Sequence, residues 1–348
     1  MKQVVRICLI MLAFGMVINQ DLFAEPFTPG NIVLVDALED RLIEVELAAD
    51  FQARVVQVVT WSLGDTSRRR PLGIDFDPLG NAYVGITGVP VGATQAEFPE
   101  GRGELMRISP DGEQNFYVLP PQVTKGVWVS SFNPNEVFVM NNEPPPPFPS
   151  QSYRMRFTGD EWSDTTLFNV TSTPQGNGNG GNGKALILPD GRILIPSSTD
   201  NFINIYDENG GDPIDQIPTE KGYRSLAYIE GTDYLLANPN SGTSIDRIGF
   251  DGAIQGTFDF TIDNLNGVFN FTTLNDGTER FIATNHNGNQ ASKSRIYIYD
   301  ASDLESIIPD IYDIIGLQDF GDEDGLAIQL FDSAVVPVPT SVVSWELY

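Results

Sequence analysis

The sequence predicts an all-β protein folded as a single β-propeller of six four-stranded blades, seven if the C-terminal residues add strands. Three observations carry this. Pro71–Gly85 (PLGIDFDPLGNAYVG) reads as strand, tight turn, strand: Ile74 and Phe76 alternate with polar residues, Asp77-Pro78-Leu79-Gly80 is turn chemistry, and Ala82-Tyr83-Val84 resumes the extended pattern. The same grammar returns at 127–140 (VWVSSFNPNEVFVM), 185–195 (ALILPDGRILI), 225–237 (SLAYIEGTDYLLA) and 268–283 (VFNFTTLNDGTERFIA). Taking Gly73, Gly126, Gly183, Tyr223 and Gly267 as equivalent points, the units repeat at 53, 57, 40 and 44 residues, the period of four-stranded blades plus insertions.

The elements follow in order. Residues 31–36 (NIVLVD), 41–47 (RLIEVEL) and 53–59 (ARVVQVV) read as three strands with no hairpin half ahead of them, a blade lacking its innermost strand. The second blade is the Pro71 hairpin, a long loop 86–102, then 104–108, a Ser-Pro-Asp-Gly turn and 115–119. The third runs from 127–140 past the prolines 144–147 to 153–157 and 166–170. A glycine- and asparagine-rich connector, 176–183, leads to a fourth blade ending at 214–217 and a fifth ending at 256–260. The sixth adds 295–299 and a less regular 304–315. Gly325–Leu330 (GLAIQL) has the innermost-strand pattern, and pairing it with Asn31–Asp36 would close the ring and hide two strand edges.

With 47 acidic against 20 basic residues the formal net charge is −27, which repels phosphate backbones and anionic headgroups and argues against nucleic acid as a partner. Acidity of this kind suits a solvated surface, or divalent cations. Met1–Ala24 has Lys2 and Arg6 ahead of the apolar run 7–18 and ends in Leu22-Phe23-Ala24, the layout of a secretory signal peptide cleaved after Ala24. That run is too short to anchor the chain stably in a membrane. The expectation is a monomeric protein exported by a bacterium to the periplasm or medium. It has a propeller domain over 25–335 and a tail over 336–348. The single cysteine, Cys8, falls inside the leader, so disulfides, a cysteine nucleophile and thiolate metal sites are excluded from the mature chain.

The residues 71–74, 77–84 and 324–328 (DGLAI) resemble the six-bladed propellers of the NHL and gluconolactonase/strictosidine-synthase type, and 104–119 (ELMRISPDGEQNFYVL) is similar to a blade segment of streptogramin lyases. The resemblance implies a divalent cation, Ca²⁺ or Mg²⁺, at the channel mouth. Its ligands would be oxygen side chains at the starts of innermost strands, where Asp324, Asn266 and, with one extra residue, Asn182 match. Leu72, Lys125 and Tyr223 stand at the remaining positions, and no glutamate matches the family's first ligand. In a streptogramin-lyase-like reading His286, the only histidine, is the general base, oriented by Asn285 and Asn287. Val336–Val342 (VPVPTSV) resembles the opening of a PEP-CTERM surface-sorting signal without the hydrophobic span and basic tail.

Further residues are candidates on their own chemistry. Asn141-Asn142, Asn238 with Asn240, and Asn285 with Asn287 recur after the second strand of three units, where a shared rim would hydrogen-bond a sugar or peptide; asparagine also simply suits turns. Trp61, Trp128 and Trp162 could stack on carbohydrate or fill the space between blades. Arg68-Arg69-Arg70 could clamp a carboxylate or lie solvated. Two functions follow. One is a non-catalytic exported module binding a protein or glycan on a rim formed by 86–102, 141–152 and 176–183. The other is a metal-dependent lactonase or lyase acting on a small molecule at the channel mouth.

Overall fold

The computed structural model describes residues 26–37, 39–60, 70–88, 102–119, 127–131, 133–141, 151–158, 161–169, 183–239, 244–259, 271–274, 276–284, 295–303, 308–317 and 330–338. Among them are twenty-four strands and no α-helix. Four antiparallel sheets have four strands each, in sequence order. They are β4 (Pro71–Phe76) to β7 (Gln114–Val118), β8 (Val127–Ser131) to β11 (Glu161–Asn169), β12 (Leu186–Ile187) to β15 (Asp215–Pro218), and β16 (Tyr223–Tyr228) to β19 (Ile254–Asp259). The remaining strands form one sheet of eight, in the order β20-β21-β22-β23-β3-β2-β1-β24. Here β20 (Phe271–Thr273) to β23 (Asp310–Ile315) and the set β24 (Leu330–Val335), β1 (Ile32–Asp36), β2 (Arg41–Ala48), β3 (Gln52–Thr60) are each antiparallel throughout. They meet in a short parallel pairing of Asp313–Ile315 with Gln52–Arg54.

The closing strand differs from the expected one. Pairing with β1 begins at Leu330 opposite Asp36 and runs to Val335 opposite Ile32, so the strand lies five residues later than 325–330. The reason is in the side chains: Leu330 and Ala334 go into the core, and Asp332 accepts a buried bond from the Ile74 amide, for which Ala327, at the equivalent place in GLAIQL, has no acceptor.

The first strands of the four sheets and the two edge strands of the eight-stranded sheet pack on one another about a common axis: β24 against β4, β4 against β8, β12 against β16, β16 against β20 and β20 against β24. Between β8 and β12 the link is a hydrogen bond from Ser130 Oγ to the Ala185 carbonyl, 2.6 Å. Hydrophobic clusters fill the spaces between sheets. In β1, Val33 and Val35 join the cluster with Ile74 and Val84, while Ile32 and Leu34 point the other way, to Ile282 and Ile298. A strand packed on both faces is apolar throughout, which is why β1 reads IVLV without alternation.

Consecutive antiparallel strands place their connections alternately at two ends of each sheet. One end carries the short turns. Gly80, Gly112, Gly191, Gly231, Gly252 and Gly277 all take positive φ there. Gly252 does so at φ 85° while its α-carbon presses on the neighbouring sheet, so that a β-carbon would lie 1.7 Å from the Pro218 carbonyl oxygen. Gly277, at φ 80°, has nothing within 4 Å. Gly252→Ala should therefore cost at least about 2 kcal/mol and Gly277→Ala about 1 kcal/mol in urea unfolding, the difference measuring the inter-sheet contact.

Candidate functional site

The inner strands carry polar residues where an apolar side chain would pack: Asp75 in β4, Ser130 and Ser131 in β8, and Asp332 in β24. Through them β24 bonds to β4, β4 to β8, and β8 to the residue ahead of β12. Asp332 Oδ2 accepts the Ile74 amide at 2.9 Å, Asp75 Oδ2 accepts the Ser131 amide at 2.7 Å, and Ser130 reaches Ala185 as above. Lys184, just ahead of β12, completes the set. Its Nζ donates to Asp332 Oδ2 at 2.8 Å and to the Ile74 carbonyl at 2.9 Å. Around the axis β4 and β8 separate β12 from β24 one way and β16 and β20 the other, so the Lys184 side chain crosses the axis. Its backbone is fixed from the opposite side by its amide on the Arg224 carbonyl, 2.9 Å, with Gly183 so close to Arg224 that a β-carbon would meet its carbonyl oxygen at 1.9 Å.

Asp332 is fully buried, and burial pushes its carboxyl up to about 6 against the pull of Lys184. Burial likewise raises Asp75, with Lys184 and the Ser131 and Phe76 amides holding it down and Asp77 pushing it up. Two carboxylates thus share one ammonium. Asp332 Oδ1 also accepts the Ser333 amide at 3.0 Å, so both of its oxygens are engaged by the protein's own donors. The arrangement is a bridge across the axis.

A second buried carboxylate, Asp246 in β18 (Ser244–Gly249), accepts Tyr223 OH at 2.9 Å, Lys221 Nζ at 2.8 Å and Thr257 Oγ1 at 2.8 Å. Burial and Asp246 raise the Tyr223 phenol strongly, which keeps it a hydrogen-bond donor. Tyr223, at the start of an inner strand where a metal ligand could have stood, is committed to this cluster. Among the described residues no three His, Cys, Asp or Glu side chains converge as a metal site.

Asn182, Asn266, Asp324, His286, Asn142, Asn240, Asn285 and Asn287 lie outside the described residues. The inner strands that Asn182, Asn266 and Asp324 were expected to open begin at Leu186, Phe271 and Leu330, four, five and six residues further on. Asn141 is the last residue of β9 (Glu136–Asn141). Asn238 is fully buried in β17 (Tyr234–Pro239), opposite Ser225, with its side chain in the core and away from solvent. Trp162 packs among Phe157, Tyr83 and Tyr117, with ring centroids 5.3, 5.9 and 6.1 Å away, and fills the space between two sheets. The side chains of Trp61 and Trp128, and all of Arg68 and Arg69, are outside the described residues; the Arg70 guanidinium is half-buried facing Asp40.

No family model and no curated protein matches the chain. Solved structures do. The chain is similar to a structure in a nidogen/laminin complex (10% identity, 89% of this chain and 98% of that one, TM-score 0.56). It is similar to a streptogramin B lyase (11%, 85% of each, TM-score 0.53) and to a 6-phosphogluconolactonase-like protein of Bacteroides uniformis (13%, 80% of each, TM-score 0.53). The chain is a β-propeller. At these identities the likeness is one of fold. Within the propeller, Asp75, Lys184 and Asp332 are the residues sequence reasoning passed over. The available signal was a lone charge inside an otherwise apolar first strand, IDF at 74–76 and LFDS at 330–333.

Proposed function

We propose that this propeller is an exported binding or scaffold module of six blades that takes a protein or glycan partner on its loop rim. The observation that carries the reading is the Lys184–Asp332 bridge: among the described residues these two charged groups at the axis are spent on one another and on the backbone of β4. A count of six blades is supported by dividing the eight-stranded sheet at its three-residue parallel pairing, which leaves β20–β23 and β24-β1-β2-β3 as units like the other four. Export follows from the leader pattern of residues 1–24. The rim consists of the segments 86–102, 141–152 and 176–183. They leave the ends of β5 (Ala82–Ile86) and β9 and enter β12, and these ends lie on the same side of their sheets, opposite the glycine turns.

A second reading draws on the lyase- and lactonase-like neighbours: Asn182, Asn266 and Asp324 on Ca²⁺ or Mg²⁺, with His286 as base. The two are separated by testing the full chain on a glycan array and against a panel of lactones. The binding reading expects glycan recognition that deletion of 175–181 removes, with no turnover. Lactone hydrolysis lost in Asp324→Asn and His286→Ala, together with thermal stabilisation by millimolar Ca²⁺, would replace it with the second.

A further inference from the structure

β3 and β23 pair in parallel over Gln52–Arg54 and Asp313–Ile315, and exposed apolar side chains gather beside this seam. Phe51 is 53% exposed, Ile308 is 85% exposed, and Ile311 and Ile315 are exposed as well. Phe51, Ile311, Ile314 and Ile315 line a groove of about 640 Å³, and Ile308 protrudes three residues ahead of Ile311. The backbone at Phe51 is a second observation. It holds φ 59°, a left-handed conformation that the chain gives elsewhere, among the described residues, only to Gly, Asn135 and Asp40. A bulky side chain is costly there, where glycine would be free of strain. Its ring meets Tyr312 across the seam, with centroids 5.6 Å apart, yet half of the residue stays in water. Backbone strain collects at functional surfaces, and here it holds out an aromatic ring.

The charges beside the groove select its occupant. At a formal net charge of −27 two copies of the chain repel one another over most of their surfaces. At the seam the acids are compensated. Arg54 pairs with Asp50 at 2.9 Å on the β3 side of the groove, and Arg295 pairs with Asp313 at 2.8 Å on the β23 side. All four side chains keep a third or more of their surface in water, so they can be shared with a facing molecule. A two-fold axis through the groove lays the β3 side of one copy on the β23 side of the other, which sets Arg54 toward the second Asp313 and Asp50 toward the second Arg295. We infer that two copies of this chain pair about such an axis at the β3–β23 seam, with Phe51, Ile308 and Ile311 of each buried against the groove of the other. The seam lies on outer strands, so the pairing is independent of what the rim binds.

Sedimentation equilibrium of the full-length chain, at concentrations up to about 100 μM, tests this. A closed monomer–dimer equilibrium is expected. Ile308→Asp and Phe51→Gly should each raise the dimer dissociation constant at least about tenfold. Leu79→Asp, at an exposed apolar residue in a turn of another sheet, should leave it unchanged. Ile308 is mostly in water and glycine suits the backbone at position 51, so both seam variants should keep the wild-type far-UV circular dichroism. A chain that sediments as a monomer throughout overturns the inference. So does a dimer that survives both substitutions, which would put the contact elsewhere, and so does growth beyond two copies, which a two-fold contact cannot give.

Discussion

Replacing Lys184 with methionine is expected to destabilise the folded chain by about 3–5 kcal/mol at pH 7.5, because it leaves Asp332 charged, fully buried and without its ammonium. The effect depends on pH in a defined direction. In the wild type the Asp332 carboxyl titrates near 6 in the folded chain and near 4 in the unfolded one, so between these values the folded state holds the extra proton. The contribution of this group is therefore most favourable below about pH 4, declines as pH rises through 6, and is constant above. Without Lys184 the carboxyl titrates higher still, and protonation at pH 5 relieves the unpaired charge. Urea unfolding at pH 7.5 and pH 5 should show a large Lys184→Met penalty at the first and a clearly smaller one at the second. Asp75, the other carboxylate beside this ammonium, changes in the same direction and reinforces the trend.

Asp77→Ala is expected to cost about 3–5 kcal/mol, although the position looks like an ordinary turn residue. Asp77 is fully buried and accepts five hydrogen bonds. Oδ1 takes the Leu79 and Asn81 amides, and Oδ2 takes Asn81 Nδ2, Tyr83 OH and the Asn135 amide of the next sheet. Alanine strands all five donors, two of them side chains at the sheet interface. Asp77→Asn keeps an acceptor for the two turn amides but turns an NH₂ toward the other donors, so it should recover part of the loss. Thermal and urea unfolding of both variants against wild type gives the ranking wild type, Asn, Ala. Equal stability of Ala and Asn would mean that the Oδ1 bonds to the Leu79 and Asn81 amides contribute nothing, and Asn as stable as wild type would mean that the Oδ2 bonds, the inter-sheet one to Asn135 among them, contribute nothing.

The sequence made the hairpins legible because turn chemistry is local. Asp77-Pro78-Leu79-Gly80-Asn81 needs only its own five residues to close, and Gly80 takes the positive φ that a tight turn requires. Ring closure was legible in outline and misplaced in register: GLAIQL and LFDSAV are both apolar segments, and only the buried bond of Asp332 to the Ile74 amide, 258 residues away, selects the second. The axis bridge was not legible for the same reason. Asp75 alternates with Ile74 and Phe76 as a solvent-facing residue would, and nothing local says that the next sheet's Ser131 amide lies 2.7 Å from it. The Asn-rich segments drew attention by composition, yet Asn141 is the last residue of a strand and Asn238 is a buried residue paired across from Ser225. Side chains that join sheets are chosen by contacts far apart in sequence, and periodicity does not record those.

The central claim is that this propeller is held across its axis by Lys184 and Asp332. A double-mutant cycle of Lys184→Met and Asp332→Asn, read by urea unfolding, tests it most directly. At pH 7.5 the two losses should fall short of additivity by about 2 kcal/mol, and the shortfall should shrink at pH 5 as Asp332 takes up its proton. Losses that simply add, within about 0.5 kcal/mol at both pH values, would contradict the bridge.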